Sequence, residues 1–146
     1  FNNYRQLGNW RDTPALFEAT LRVNPKSWLA LNNLAAFYQE RKDFDKAIEY
    51  YLQSSEVYFR SDPVLRAAQM LADKELYESA CGLYMKITQK ETDNAIALNN
   101  LASCQMASGQ WEYAEQSVDR AIASNPYLKE AQENKNLILQ KKQKNR

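Results

Sequence analysis

Residues 95–128, AIALNNLASCQMASGQWEYAEQSVDRAIASNPYL, alternate apolar and polar positions with the period of two amphipathic helices. A glycine turn at Gly109 joins them and Asn125-Pro126 closes the pair. The same alternation predicts helices over 28–40, 44–57, 76–89, 94–107 and 111–124. Another starts at Ser61 or Asp62, either of which can cap it, and runs to Asp73 with Pro63 in its first turn. Asp43 and Asp93 are further N-cap candidates. Residues 1–7 read as the end of one helix, with Gly8 as its C-cap. The next helix runs to Val23, with Asp12 or Thr13 as its cap because Pro14 does not suit a helix interior. A last helix begins near 127 and turns wholly polar, and Leu137, Ile138 and Leu139 are expected to cover the end of the stack.

The pattern repeats. Ala47, Ala80 and Ala114 are 33 and then 34 residues apart, each three residues after an aromatic: Phe44, Tyr77 and Trp111. Four residues further on stand Tyr51, Tyr84 and Val118, while Leu34-Ala35, Ala67-Ala68 and Leu101-Ala102 hold the matching place in the preceding helix. Tyr4, Gly8, Trp10, Phe17 and Pro25 fit the same ruler, 101 residues before Gln105, Gly109, Trp111, Val118 and Pro126. Small residues at two fixed places let helix backbones approach, and large ones between them fill the layers. No single hairpin could bury its apolar stripe alone, so neighbours must supply the rest of the core.

This period and these small positions resemble the tetratricopeptide repeat. The resemblance implies an all-α fold, a right-handed superhelix of antiparallel helix pairs. Its units would be a partial one at 1–27, full ones at 28–60, 61–94 and 95–128, and a capping helix with a basic tail at 129–146. Positions are numbered within the unit from Trp28, Ser61, Ala95 and Lys129. The glycine usual at position 8 is Ala35, Ala68 or Ala102 here, and position 32 is Phe59 or Thr92 in the middle units. The middle unit is the least regular: its turn lacks glycine, and Gly82 lies inside a helix, where close packing of helices is the expected reason.

Composition narrows the function. A hydrophobic share of 45% with 25% charged residues is that of a globular chain. The net charge of +1 conceals a split, because six of the basic residues and only two of the acidic ones lie in 129–146. Positive charge confined to one end, without interleaved aromatics, argues against nucleic acid as the main partner. No apolar run is long enough to span a membrane. Histidine is absent, which removes the commonest general base and metal ligand, and no glycine-rich phosphate loop is present. Cys81 and Cys104 have no metal-ligand spacing, and core packing is the first reading, with a disulfide as the alternative. The sequence therefore predicts neither enzymatic activity nor a cofactor or metal.

The candidate binding chemistry lies on the first helix of each unit. LNNLA occurs at 31–35 and again at 98–102, placing Asn33 and Asn100 at position 6, with Arg66 and Asn134 in the equivalent places. This row resembles the asparagine ladder of the superhelix attached to protein O-linked N-acetylglucosamine transferases. The resemblance implies a groove facing positions 2, 5, 6, 9, 12 and 13, lined here by Asn32, Asn33, Arg66, Gln69, Asn99, Asn100 and Asn134. A carboxamide offers both donor and acceptor, so it can hold a peptide backbone without reading side chains. In the competing reading these asparagines cap loops or bond between repeats. The carboxylate clamp of chaperone-tail binders puts its cations where this chain has Asn32, Ile96 and Asn100, which argues against an EEVD-type tail. NWRDTPALFEATLRVNPKSWLALNNLA is also similar to segments following the multi-span part of transmembrane O-mannosyltransferase-like proteins, which would make this the soluble tail of a membrane-anchored parent. The expected partner is thus a protein or peptide, an extended chain or a helix. The alternative is a structural element that self-associates through the ends of its array.

Overall fold

The computed structural model describes residues 14–145. These form eight α-helices: α1 Pro14–Val23, α2 Trp28–Glu40, α3 Phe44–Val57, α4 Ser61–Asp73, α5 Tyr77–Lys90, α6 Ala95–Ala107, α7 Trp111–Ser124 and α8 Lys129–Lys144. The all-helical architecture expected from the sequence is the one observed. The chain falls into two compact units, one up to Ala67 and one from Ala68 onward, the division lying inside α4. In the first, α2 packs against both α1 and α3; in the second, α6 packs against α5 and α7, and α8 against α6 and α7. Tyr4, Gly8, Trp10 and the caps expected at Asp12 or Thr13 lie outside the described residues.

Burial follows the small and large positions. Ala35, Ala68 and Ala102 are wholly enclosed, as are Ala47, Ala80 and Ala114. Tyr51, Tyr84 and Val118, four residues beyond the second set, are nearly so. In the second unit Leu98, Ala102, Ala114, Val118, Ala121, Ala131 and Ile138 form one apolar cluster across α6, α7 and α8.

Each first helix of a pair ends in the same way. Lys42, Glu75 and Gly109 have φ of 61°, 60° and 75°. Their amides bond back to the carbonyls of Gln39, Ala72 and Met106. The next amides, of Asp43, Leu76 and Gln110, reach those of Tyr38, Leu71 and Gln105. This is the Schellman closure, with a left-handed residue that turns the chain into its partner helix. Only Gly109 advertised it in the sequence, because lysine and glutamate adopt that conformation at a cost.

Several local expectations shift. Asn94, not Asp93, caps α6, its side chain accepting the Ala97 amide at 3.0 Å, while Asp43 caps α3 as expected. α4 already includes Ser61, so Asp62 and Pro63 lie in its first turn. α8 begins at Lys129, later than expected, and its basic end is helical to Lys144. Of the three apolar residues expected to cover the stack, Ile138 is buried whereas Leu137 and Leu139 are exposed.

Gly82 does not serve close packing: a Cβ there would meet nothing within 4 Å. The glycine only weakens α5, so Gly82→Ala is expected to stabilise the protein by about 0.5–1 kcal/mol in urea unfolding.

Charged side chains tie α8 to α7. Lys135 meets Asp119 at 2.8 Å and Glu115 at 3.1 Å, and Lys142 also bonds to Glu115. The bond from Lys142, then that from Lys135, holds the Glu115 carboxyl below its ordinary value of 4.5. Asp119 chiefly, opposed by burial, holds the Lys135 ammonium above 10.5. A depressed carboxyl stabilises the fold fully above pH 4.5, and this is lost as pH falls through the lower folded value. The raised Lys135 contributes below pH 10.5 and is lost as pH rises through its folded value. Lys135→Ala is therefore expected to cost about 0.5–1 kcal/mol at neutral pH and progressively less as the pH falls below 4.5, measured by urea unfolding at neutral and acid pH.

Candidate functional site

The seven residues singled out in the sequence are not equivalent. In the first unit Asn32 and Asn33 are half-buried on α2, and Arg66 is exposed on α4. Close by, the Tyr51 hydroxyl donates to Gln39 Oε1 at 2.7 Å. Burial raises the Tyr51 phenol above 10.0; the positive charge of Arg66 opposes this and Glu40 adds to it.

In the second unit Asn99 and Asn134 are given to each other. Asn134 Nδ2 donates to Asn99 Oδ1 and to Ser103 Oγ, both at 2.8 Å. A carboxamide nitrogen has two protons, so both are spent inside the fold. Asn99 is itself buried. These two side chains therefore link α6 to α8, as in the competing inter-repeat reading, with both protons of the Asn134 amide used in the link.

Gln69 and Asn100, by contrast, come together. They line a cavity of about 300 Å³ with Asp73, Tyr77, Tyr84 and Ser103. Three of these form a relay: Tyr84 donates to Gln69 Oε1 across a long 3.5 Å, and Gln69 Nε2 donates to Asp73 Oδ1 at 2.9 Å. Gln69 is thus occupied at both ends and fixes the carboxylate, one turn away on the same helix. Burial, with the Asp73 charge adding to it, pushes the Tyr84 phenol up to about 12. Asp73 closes α4, and residue type alone marks it as no more than a helix end. Its signal is its place in the repeat, position 13, which the resemblance assigns to the groove.

The cysteines at the edge of this site are not independent core residues. Cys81 on α5 and Cys104 on α6 form a disulfide, with Cα atoms 5.7 Å apart, and Cys104 also lines the cavity. Sequence spacing alone gave no reason to prefer this pairing over packing, because helix facing decides it. Elsewhere in the unit, a concavity of about 410 Å³ is lined by residues that include Met85, Gln89, Tyr113 and Arg120. Among the described residues no cluster of three or more histidine, cysteine or acidic groups could hold a metal. No described helix is long and apolar enough to cross a membrane.

The family model described as "Tetratricopeptide repeat" matches residues 1–56. Solved structures extend that likeness over most of the chain. The crystal structure of MamA superposes with a TM-score of 0.78 at 15% identity, covering 88% of this chain and 76% of that one. This chain has a tetratricopeptide-repeat fold. YrrB, described as a tetratricopeptide-repeat protein with an unusual peptide-binding site, gives 0.76 at 13% identity over 89% of this chain and 68% of its own. The first such domain of Spaghetti (RPAP3), bound to the HSP90 peptide SRMEEVD, gives 0.70 at 17% over 77% and 90%. No curated protein sequence matches the chain. At these identities the likeness establishes the tetratricopeptide-repeat fold alone. That fold generally binds proteins and peptides through a concave groove and is typically a non-catalytic scaffold.

Proposed function

We propose that the chain is a protein-interaction module that binds an extended peptide on the faces presented by its first helices. The observation that carries this reading is the cavity that brings Gln69 and Asn100 together with Asp73 and two tyrosines. It is small, and its polar groups converge as those of a recognition site do. Asn100, half-buried at its edge, offers a carboxamide that can bond a peptide C=O and N–H together. Asn33 holds the same unit position in the first unit, and Arg66 adds an exposed cation there. This is the asparagine-ladder mode, with Asn99 and Asn134 as braces. The tetratricopeptide-repeat unit bounds 28–60, 61–94 and 95–128 belong to the same proposal, supported by helix starts at Trp28, Ser61 and Ala95.

Screening a random peptide array against wild type and an Asn33→Ala/Asn100→Ala double variant tests it. Binding is expected to fall about tenfold or more in the variant, two lost amide bonds each being worth about 0.5–1.5 kcal/mol. Equal binding by both proteins would refute the ladder. The second reading, self-association through the ends of the array, is favoured by one observation, the exposed Leu137 and Leu139 on α8. It fits an assembly element of a larger, membrane-anchored parent.

A further inference from the structure

The cavity in the second unit is chemically one-sided. Asp73 is its only charged lining residue, and no lysine or arginine contributes to its wall. A carboxylate accepts along about four lone-pair directions, and Gln69 occupies one of them. Asp73 is also the last residue of α4. There the helix dipole presents its negative end, so a carboxylate is disfavoured and a cation preferred. The position of Asp73 thus works against helix stability, yet the Tyr84–Gln69 relay holds its side chain in place.

We propose that this cavity receives an arginine side chain of an extended peptide, with Asp73 as its counter-ion and the half-buried Tyr77 as its aromatic wall. This rests on the peptide-binding reading above and names the residue that the site selects. A guanidinium is planar, pairs with a carboxylate through two parallel N–H groups, and packs on tyrosine more readily than an ammonium does. At about 300 Å³ the space lies at the lower end of ligand pockets, a scale for one side chain and not for a bulky cofactor. Asn100 on the same wall can then hold the peptide amide next to the arginine. An acidic peptide end would meet repulsion from Asp73. The site therefore differs in sign from one built for a C-terminal carboxylate.

A positional-scanning library of blocked peptides, with Arg, Lys, Glu or Ala fixed at each position in turn, measures this by fluorescence anisotropy. One position is expected to favour Arg over Ala by about 2- to 5-fold, the range for an ion pair on an exposed carboxylate such as Asp73. Lys at that position should gain less. Asp73→Asn is nearly isosteric and should flatten the preference without lowering the melting temperature, whereas Asp73→Lys should invert it toward Glu. A preference unchanged in Asp73→Asn overturns the proposal, and equal gains from Lys and Arg overturn the guanidinium assignment. If peptides bind with dependence on Asn33 and Asn100 but no position favours Arg, the arginine site fails and the peptide-binding reading stands. If no peptide binds, both fail.

Discussion

Reduction of the Cys81–Cys104 bond is expected to lower the unfolding free energy by about 3 kcal/mol. The bond closes a loop between cysteines 23 residues apart, and the chain entropy that such a link removes from the unfolded state is of that size. It joins α5 to α6, and both cysteines are buried, so the native packing already holds them close. Against a typical total of about 5–15 kcal/mol this is a large share. The melting temperature should fall by on the order of 10 °C on adding reductant. A Cys81→Ala/Cys104→Ala variant should start near the reduced value and ignore the reductant. Wild type that melts at the same temperature with and without reductant would show that the link contributes nothing.

Tyr84→Ala is expected to cost about 3–5 kcal/mol, the range for emptying a buried aromatic site. Tyr84 is only 1% exposed, and Ala80, one turn before it on α5, is wholly enclosed. Tyr84→Phe separates packing from polarity, since it keeps the ring and removes the bond to Gln69. It should cost about 1 kcal/mol and loosen the hold on Asp73. The phenol also sets an alkaline limit. Its folded value of about 12 stands above the ordinary 10.0, so the neutral form is favoured by the fold. Stability is then independent of this group below pH 10 and declines as pH rises from 10 to 12, where the unfolded chain ionises first. Urea unfolding across that range, with tyrosinate absorbance followed in parallel, should show a shallower decline for Tyr84→Phe. An identical decline in both proteins would assign the effect elsewhere.

The helices were legible because the chain repeats its small residues. Ala35 and Ala47, with their counterparts in the following pairs, marked in advance the places where backbones meet, and all are enclosed. What the sequence hid depends on geometry that residue types do not encode. Lys42 and Glu75 take the left-handed turn that glycine takes at Gly109. Neither looks like a turn residue, because the Schellman bonds impose the conformation. Gly82 suggested close packing but faces open space, since a glycine inside a helix does not say which side it lies on. At the site the asparagines were legible as a set but not in their separate uses. Asn99 and Asn100 are neighbours in sequence, yet a rotation of one residue along α6 buries the first against α8 and leaves the second on the cavity. Asp73 and Tyr84 join them only through Gln69, a relay between two helices that no linear motif describes.

The most direct test of peptide recognition by the first-helix faces is amide chemical-shift mapping with the tightest peptide from the array. The largest perturbations are expected at Gln69, Asp73, Asn100 and Ser103, and at Asn33 in the first unit, with little change at Met85 and Tyr113. Perturbations centred on Met85, Tyr113 and Arg120 instead, with Asp73 and Asn100 unmoved, would contradict the account.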